Sequence, residues 1–168
     1  MRPMNLMNSC TLRNFPIVSK ACTLLAAIGM AFMCTVAPSH AHEFSVGNLS
    51  IDHPWARATA PAARTGVVYF SIKNAASKSD TLLGITVATA VARRASLHEM
   101  SLGAKGVMRM VEIKSGLAVG AKSTVKFAPG GHHVMLEGLV KPLLIKQKFG
   151  MTLQFAKAGA VAVVVQVE

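Results

Sequence analysis

The chain has 168 residues, of which 52% are hydrophobic and 5% aromatic, and its formal net charge is +11. This length allows a leader and one domain with its own core, and it is too short for two ordinary domains. The basic residues are scattered and form no stripe interleaved with aromatic residues, so the composition argues against nucleic acid as a partner. The charge instead favours solubility or docking on an acidic partner.

The N-terminal segment has the features of a secretory signal peptide. Arg2, Arg13 and Lys20 supply positive charge, and residues 21–37 form an apolar run without charge. Small residues follow this run, and we expect cleavage after Ala41. The alternative is an uncleaved membrane anchor, for which the apolar run is at the short limit of a span.

All three cysteines, Cys10, Cys22 and Cys34, lie in this leader, so disulfides cannot be part of the mature fold. Neither Cys22 nor Cys34 follows the small-residue box that precedes a lipoprotein cysteine. We therefore divide the chain into a signal peptide at 1–41 and a soluble exported domain at 42–168. The expected location is the periplasm, without stable membrane insertion once the signal is removed.

The mature part alternates apolar and polar residues in short segments bounded by turn residues, and no stretch sustains a helical period. We predict an all-β fold, a single antiparallel Ig-like β-sandwich of about eight or nine short strands. The stretch around Pro54 and Pro61 is predicted to be a loop that covers one end of the sandwich. The candidate strands are Phe44–Ile51, Gly66–Lys73, Leu82–Ala90, Arg94–Met100, Val107–Ile113, Ser123–Phe127, His133–Leu136, Met151–Phe155 and Val161–Val167.

Three pairs of histidine or methionine residues stand two positions apart in the middle of the chain. Residues i and i+2 of a strand project from the same face, so each pair can present its donor groups side by side. Neutral imidazole and soft thioether donors favour Cu(I), whereas Mg²⁺ and Ca²⁺ need oxygen and Zn²⁺ usually takes thiolate, imidazole or carboxylate. The pairs are His98 with Met100, Met108 with Met110, and His133 with Met135.

The first two pairs are related by a predicted hairpin. We expect its turn to be centred on Ala104, which stands between two glycines suited to a turn. All four side chains then lie on one face, and a slip of one residue would turn half of them away. In this register His98 faces Met110, and Met100 faces Met108.

Methionine is also an adaptable core residue, which leaves an alternative without metal. In that case the protein is a structural or adhesive exported β-sandwich, and Met108, Met110 and Met135 are shielded from solvent. The pairing with histidine argues against this alternative, because an unpaired imidazole is costly to bury on an apolar face. Blue-copper electron transfer is excluded, since it needs a cysteine thiolate that the mature chain lacks.

The other histidines have simpler interpretations. His132 is expected to be exposed and to point away from His133, and His53 to make a structural hydrogen bond in a loop. His42 would become the mature N-terminus, where its amine and imidazole could hold Cu(II) at a second, weaker site. A copper-dependent oxidase or monooxygenase built on His42 has no further support, and no catalytic set of residues is visible.

Several segments resemble the periplasmic copper chaperone family PCuAC. They are Leu97–Met100, Gly106–Met110 and Pro129–Leu139, together with the opening Ile51–Ala58. The similarity covers essentially the whole mature chain. Its central motif is a His, then a Met, then His-x-Met. The ligand types, their order and their spacing in this chain agree with the pattern of that family.

The resemblance implies a monomeric cupredoxin-like β-sandwich, without enzymatic activity, that carries Cu(I) on its surface. It further implies transfer of the metal to a partner, a cytochrome c oxidase subunit or another copper chaperone, during assembly of the oxidase copper centre. The interval from His98 to Met110 is one residue longer than is usual in the family. That leaves Met108 as a possible substitute for Met110, and Met100 as a spare ligand. The ligands carried over are His98, Met110, His133 and Met135.

Overall fold

The structure is a computed structural model that describes residues 43–103 and 106–168, so the predicted signal peptide lies outside the described residues. The described part contains eleven β-strands and no α-helix. No helix in these residues is long and apolar enough to cross a membrane. The strands are β1 (Glu43–Val46), β2 (Leu49–Ala56), β3 (Thr65–Asn74), β4 (Asp80–Val87), β5 (Ala92–Leu102), β6 (Met108–Glu112), β7 (Leu117–Val119), β8 (Ser123–Phe127), β9 (His132–Leu139), β10 (Lys148–Phe155) and β11 (Gly159–Val167).

Burial alternates along the longer strands, which is the pattern that the sequence predicts. In β11 the valines at 161, 163, 165 and 167 are buried, whereas residues 160, 162 and 164 are exposed. Valine suits this position because its branched side chain packs well on a pleated surface. Each such strand therefore turns one face to the core and the other to solvent.

Strand β2 connects the two halves of the sheet. The strand order is β6-β5-β9-β8-β3-β2-β11-β10-β4-β7, and β1 pairs with β2. The register between β2 and β3 shifts between Asp52 and Trp55, and His53 there has a φ of 49°. Both halves contribute buried side chains to one core. From the first half come Val68, Phe70, Leu97, Val134 and Leu136, and from the second Leu82, Met151, Leu153, Val163 and Val165.

The all-β prediction is confirmed, but the described residues form eleven strands where about eight or nine were predicted, and the arrangement differs in four further ways. Two strand pairs, β2 with β11 and β8 with β9, are parallel. The predicted first strand, Phe44–Ile51, is divided by a turn at Gly47 into β1 and β2, and β7 (Leu117–Val119) was not predicted. Residues 53–56, expected in a loop, belong to β2. Pro54 is tolerated in this strand because it lies at the irregular register, where one ladder hydrogen bond is already missing.

Asp80 joins the start of β4 to the turn between β10 and β11. Its buried carboxylate accepts hydrogen bonds from the backbone N–H groups of Thr81, Lys157 and Ala158, at 2.7, 2.9 and 3.0 Å. Burial by itself raises the pKa of Asp80, but these N–H groups and the charge of Lys157 outweigh it and hold the pKa below its usual value. The ionised carboxylate therefore stabilises the folded chain.

We expect Asp80→Asn to lower the free energy of unfolding at neutral pH by about 1–3 kcal/mol, since the amide turns an N–H group toward a backbone donor. A lowered folded-state pKa contributes stability above the unfolded-state pKa, and that stability is lost as the pH falls through the folded-state pKa. The difference between wild type and variant should therefore shrink in acid. Urea unfolding at several pH values measures it, with Asp52→Asn in β2 as the control. An equal loss in the control, or a difference independent of pH, would contradict this role.

Candidate metal centre

The strands β6, β5 and β9 lie side by side, and their registers decide which side chains share a face. His98 of β5 lies opposite His133 of β9, and Met100 of β5 lies opposite Met110 of β6. Directly opposed residues of an antiparallel pair project to the same side of the sheet. The neighbouring pair Leu97 and Val134 projects into the core. Four of the predicted ligands therefore share the outer face.

The predicted hairpin between β5 and β6 is present, but its register differs from the prediction by two residues. Met110 lies opposite Met100 and not opposite His98, whose partner is Glu112. Likewise Met108 lies opposite Leu102 and not opposite Met100. Because side chains alternate with a period of two, this shift leaves all four predicted residues on one face.

The turn explains the shift. The Gly103 N–H donates to the carbonyl oxygen of Val107 at 2.8 Å, and Gly106 adopts a φ of 74°. Only glycine takes this left-handed conformation without steric cost. The register of the two strands is therefore centred one residue later than predicted.

Three donors from three strands meet on the outer face. The His133 Nε2 atom lies 3.1 Å from the Met110 sulfur. The rings of His98 and His133 are stacked, with centroids 5.7 Å apart and an angle of 24° between their planes. Met110 belongs to β6 and His133 to β9, so the Met110 side chain extends across β5 to make this contact. The geometry thus brings together His98, Met110 and His133.

The protonation of His133 is fixed by the backbone. Its Nδ1 atom lies 3.0 Å from the carbonyl oxygen of Gly131, which can only accept a hydrogen bond. The neutral ring therefore carries its proton on Nδ1. The lone pair of Nε2 is left free and is the one beside the Met110 sulfur.

A second chain of hydrogen bonds fixes the protonation of His98. The Ser96 hydroxyl donates to Glu137 Oε1 at 3.0 Å, so its oxygen accepts from His98 Nε2, also at 3.0 Å. The proton of the neutral His98 ring is therefore on Nε2. Its Nδ1 lone pair is buried and has no hydrogen-bond partner. An orphaned buried lone pair is unusual and is chemically suited to a metal.

Charged groups surround these hydrogen bonds. Arg94 pairs with Glu112 and lies 3.6 Å from Glu137 Oε2. Burial lowers the pKa of His98, as does the neighbouring His133, while Glu112 and Glu137 act in the opposite direction. His98 therefore stays neutral to a lower pH than an ordinary histidine.

Ser96 and Glu137 were not predicted to belong to the site, although the sequence contains a signal for both. Ser96 stands two positions before His98, and Glu137 stands two positions after Met135. Strand alternation places each of them on the face that carries the predicted ligands.

The remaining predicted methionines surround these donors. Met135 is half-buried on the same face as His133 and lies opposite Ser96. Met108 and Met110 are 48% and 49% exposed. That exposure contradicts the alternative in which these two side chains fill the core. Within the described residues no group of three or more His, Cys, Asp or Glu could hold a metal.

Two other histidines differ from expectation. His132 points to the opposite face from His133, as expected, but it is half-buried and not exposed. Its Nδ1 atom has no hydrogen-bond partner and lies 4.0 Å from Glu99 Oε1. His53 is exposed in β2, with its Nε2 atom 3.6 Å from Glu168 Oε1. His42 lies outside the described residues.

Comparison with solved structures defines the class of domain. The copper-bound PCuAC domain from PmoF2 superposes with a TM-score of 0.62 and 31% identity, over 76% of this chain and 97% of that one. The apo PCuAC domain from PmoF1 gives a TM-score of 0.62 and 29% identity, over 76% and 98%. The CuI-DR1885 structure from Deinococcus radiodurans, at 24% identity and a TM-score of 0.55 over 77% and 83%, shares the fold. The chain therefore has the cupredoxin-like fold of PCuAC domains.

Sequence comparison identifies the family. A family model described as "Putative lipoprotein LpqE-like" matches residues 49–167. The "Putative lipoprotein Lxx21020" of Leifsonia xyli subsp. xyli is 36% identical over 114 residues, which is 67% of each chain. The chain belongs to the LpqE-like family.

The hydrogen bond from His98 to Ser96 can be tested on the protein without metal. In the wild-type domain, nitrogen chemical shifts should report a protonated Nε2 and an unprotonated Nδ1 on His98. In Ser96→Ala, the acceptor for Nε2–H is gone, and the ring should become a mixture of tautomers. Ser96→Thr keeps a hydroxyl and should restore the wild-type spectrum, whereas Ser101→Ala on the same strand is a neutral control. An unchanged tautomer in Ser96→Ala would refute the arrangement.

Proposed function

We propose that the protein is a periplasmic copper chaperone that binds one Cu(I) through His98, Met110, His133 and Met135. The observation that carries this proposal is that the His133 Nε2 atom touches the Met110 sulfur, while the ring of His98, with its unpartnered Nδ1, is stacked on the ring of His133. The copper-bound PCuAC domain from PmoF2, at 31% identity, supports it. The chain then acts as a carrier and not as an enzyme.

The spacing of the donors suits an ion after a small movement. Metal–nitrogen and metal–sulfur bonds of about 2.0 and 2.3 Å place two tetrahedral ligands about 3.5 Å apart. The His133 Nε2 atom and the Met110 sulfur are 3.1 Å apart, so they must separate slightly. Met110 is half-exposed and can make this adjustment by rotating its side chain, whereas His133 is only 7% exposed and is held by Gly131.

The chemistry of the donors favours the cuprous ion. Imidazole and thioether are neutral, and the thioether is soft, which suits Cu(I). The nearby carboxylates of Glu112 and Glu137 exceed the single guanidinium of Arg94 by one charge. This excess compensates part of the positive charge of a bound ion without placing a carboxylate among its ligands.

Exposed sulfur gives a partner access to the metal. Met108 and Met110 lie on β6, which is the last strand at one edge of the sheet. An incoming ligand can displace an exposed thioether without unfolding the core, so transfer by ligand exchange is feasible. Met108 is a candidate substitute for Met110, and Met100, opposite Met110, is a candidate additional ligand. We propose a cytochrome c oxidase subunit or another copper chaperone as the recipient, and a monomeric carrier.

The proposed location rests on the leader and on the family description. The matching family and the Leifsonia xyli relative are both described as putative lipoproteins, which are exported proteins. The apolar leader with its basic N-terminus supports export of this chain as well. A second, weaker Cu(II) site at His42 stays a prediction, as does removal of residues 1–41.

Anaerobic titration of the domain with Cu(I), against a competing chelator, tests the ligands. We expect one tight equivalent in the wild type and loss of tight binding in the double variant His98→Ala/Met110→Ala. His132→Ala, which removes the neighbouring histidine on the other face, is the matched control and should bind normally. Met110→Leu and Met108→Leu, compared singly, show which thioether matters. Unchanged stoichiometry and affinity in the double variant would reject the site, and X-ray absorption would count sulfur and nitrogen ligands directly.

The affinity for Cu(I) should fall in acid, because a protonated imidazole cannot bind metal. Burial and the neighbouring His133 lower the pKa of His98 from its usual 6.5. Competition from protons at His98 should therefore set in only near and below that value. The same chelator competition at a series of pH values measures this. A fall that is complete above pH 6.5, or no fall in strong acid, would contradict ligation by His98.

A further inference from the structure

Exposed aliphatic side chains are concentrated in the segment between β9 and β10. Leu144 and Ile145 are 63% and 68% exposed, and Val140 at the start of the same segment is also exposed. Single exposed apolar residues are ordinary, but three in one short segment form a patch of the kind that marks an interaction surface. We call residues 140–148 the basic aliphatic turn.

The exposure of this turn is built into the backbone. The Gln147 N–H donates to the Leu144 carbonyl oxygen at 3.0 Å, and the Leu144 N–H donates to Gln147 Oε1 at 3.1 Å. The Lys146 N–H donates to the carbonyl oxygen of Val167 at 2.8 Å. Leu143, by contrast, is buried in the core. The turn is therefore anchored on one side and holds Leu144 and Ile145 outward.

The charge around the turn has one sign. Lys141, Lys146 and Lys148 flank the aliphatic pair, and all three are exposed. The sequence contains no Asp or Glu from 138 to 167. The turn therefore combines an apolar tip with a collar of lysines, and the acidic residue that follows its anchor at Val167 is Glu168.

A cavity beside the turn extends the basic surface. It has a volume of about 470 Å³ and is lined by Arg64, Arg93 and residues 138–140. Both arginines are exposed, and neither makes an ion pair within residues 43–103 and 106–168. Two unpaired guanidinium groups at a concave surface suit a phosphate group. Val140 belongs to both the cavity and the turn, so the two form one continuous surface.

We propose that the basic aliphatic turn and this cavity dock the protein on a bilayer that contains anionic phospholipid. Leu144 and Ile145 enter the boundary of the acyl chains, while the lysines and arginines contact lipid phosphates. A membrane fits better than a protein partner, because the turn is rich in lysine, a residue depleted from protein interfaces. Lysine can lay its aliphatic stem along the apolar boundary and keep its charge among the headgroups. This inference goes beyond the proposed copper function and does not depend on it.

Sedimentation with lipid vesicles tests the proposal. Residues 42–168 suffice, because they contain the whole described core and isolated PCuAC domains of this extent are solved structures. Removing the apolar leader also removes its own affinity for lipid. We expect binding to vesicles of phosphatidylglycerol and phosphatidylcholine, weak binding to phosphatidylcholine alone, and weaker binding at high salt. Leu144→Asp/Ile145→Asp should reduce partitioning by about tenfold or more, and Arg64→Ala/Arg93→Ala should reduce it for anionic vesicles only.

Two controls test whether vesicle binding depends on this surface or only on the overall charge and hydrophobicity of the protein. The variant Lys141→Glu/Lys146→Glu reverses two charges of the turn, and Lys73→Glu/Lys126→Glu reverses two exposed lysines elsewhere as its control. Leu83→Asp, at an exposed leucine of β4, is the control for the aliphatic pair. Only variants of the turn and cavity should lose vesicle binding, while all variants should keep the wild-type thermal unfolding and copper stoichiometry. Absence of binding to anionic vesicles, or equal losses in the controls, would overturn the proposal. Copper titration of the same samples reports separately on the copper function.

Discussion

The pairing of β5 with β9 is the constraint on which the candidate metal centre depends. It sets His98 against His133 on the outer face and Leu97 against Val134 in the core. A slip of one strand by one residue would expose either the leucine or the valine and turn the imidazole of that strand inward. Burial of such an apolar side chain stabilises a fold by about 1.5–3 kcal/mol. The hydrophobic core therefore holds the face that carries these donors in place.

The strand register brings the imidazoles together, and the polar groups beside them decide which ring nitrogen of each carries the proton. Gly131 directs the free lone pair of His133 to Nε2, and Ser96 with Glu137 directs that of His98 to Nδ1. The second of these lone pairs is buried without a partner. Leaving a buried polar atom unsatisfied costs about 1–3 kcal/mol. A ligand bound at His98 Nδ1 would remove that cost, whereas His132 Nδ1, the other unpartnered buried nitrogen of the described residues, lies on the opposite face.

Much of the fold follows from the local alternation of apolar and polar residues. The features that do not follow from it depend on pairing between strands that are distant in the sequence. Strand β8 has the predicted bounds and β3 differs by one residue at each end, because both show regular alternation. Strand β7 is too short to show it. The continuation of β2 through Pro54 depends on an irregular register with β3, which β2 alone does not encode. The parallel pairings likewise join segments that are remote in the sequence or cross a turn.

The candidate site was predictable to a similar extent. The predicted hairpin put His98 and Met110 on one face, whereas His133 was placed with them only by the family resemblance. In the structure these three side chains lie side by side. The register of the hairpin was not predictable from symmetry, because the left-handed Gly106 moves the turn by one residue. The Ser96–Glu137 hydrogen bonds needed the pairing of β5 with β9, although alternation placed both residues on the correct face.

The two kinds of donor differ in mobility, and this difference bears on the proposed transfer. The imidazoles sit on β5 and β9, which are paired on both sides, whereas Met110 sits on β6, a five-residue edge strand. Exposed edge strands invite unwanted pairing, and their short length and charged residues such as Arg109 limit that risk. Because the Met110 side chain crosses β5 to reach His133, a bound ion would tie the edge strand to the third strand inward. Transfer to a partner would then begin with displacement of the exposed Met110 thioether and would be completed when the metal–imidazole bonds break, and the imidazoles would stay in place for the next ion.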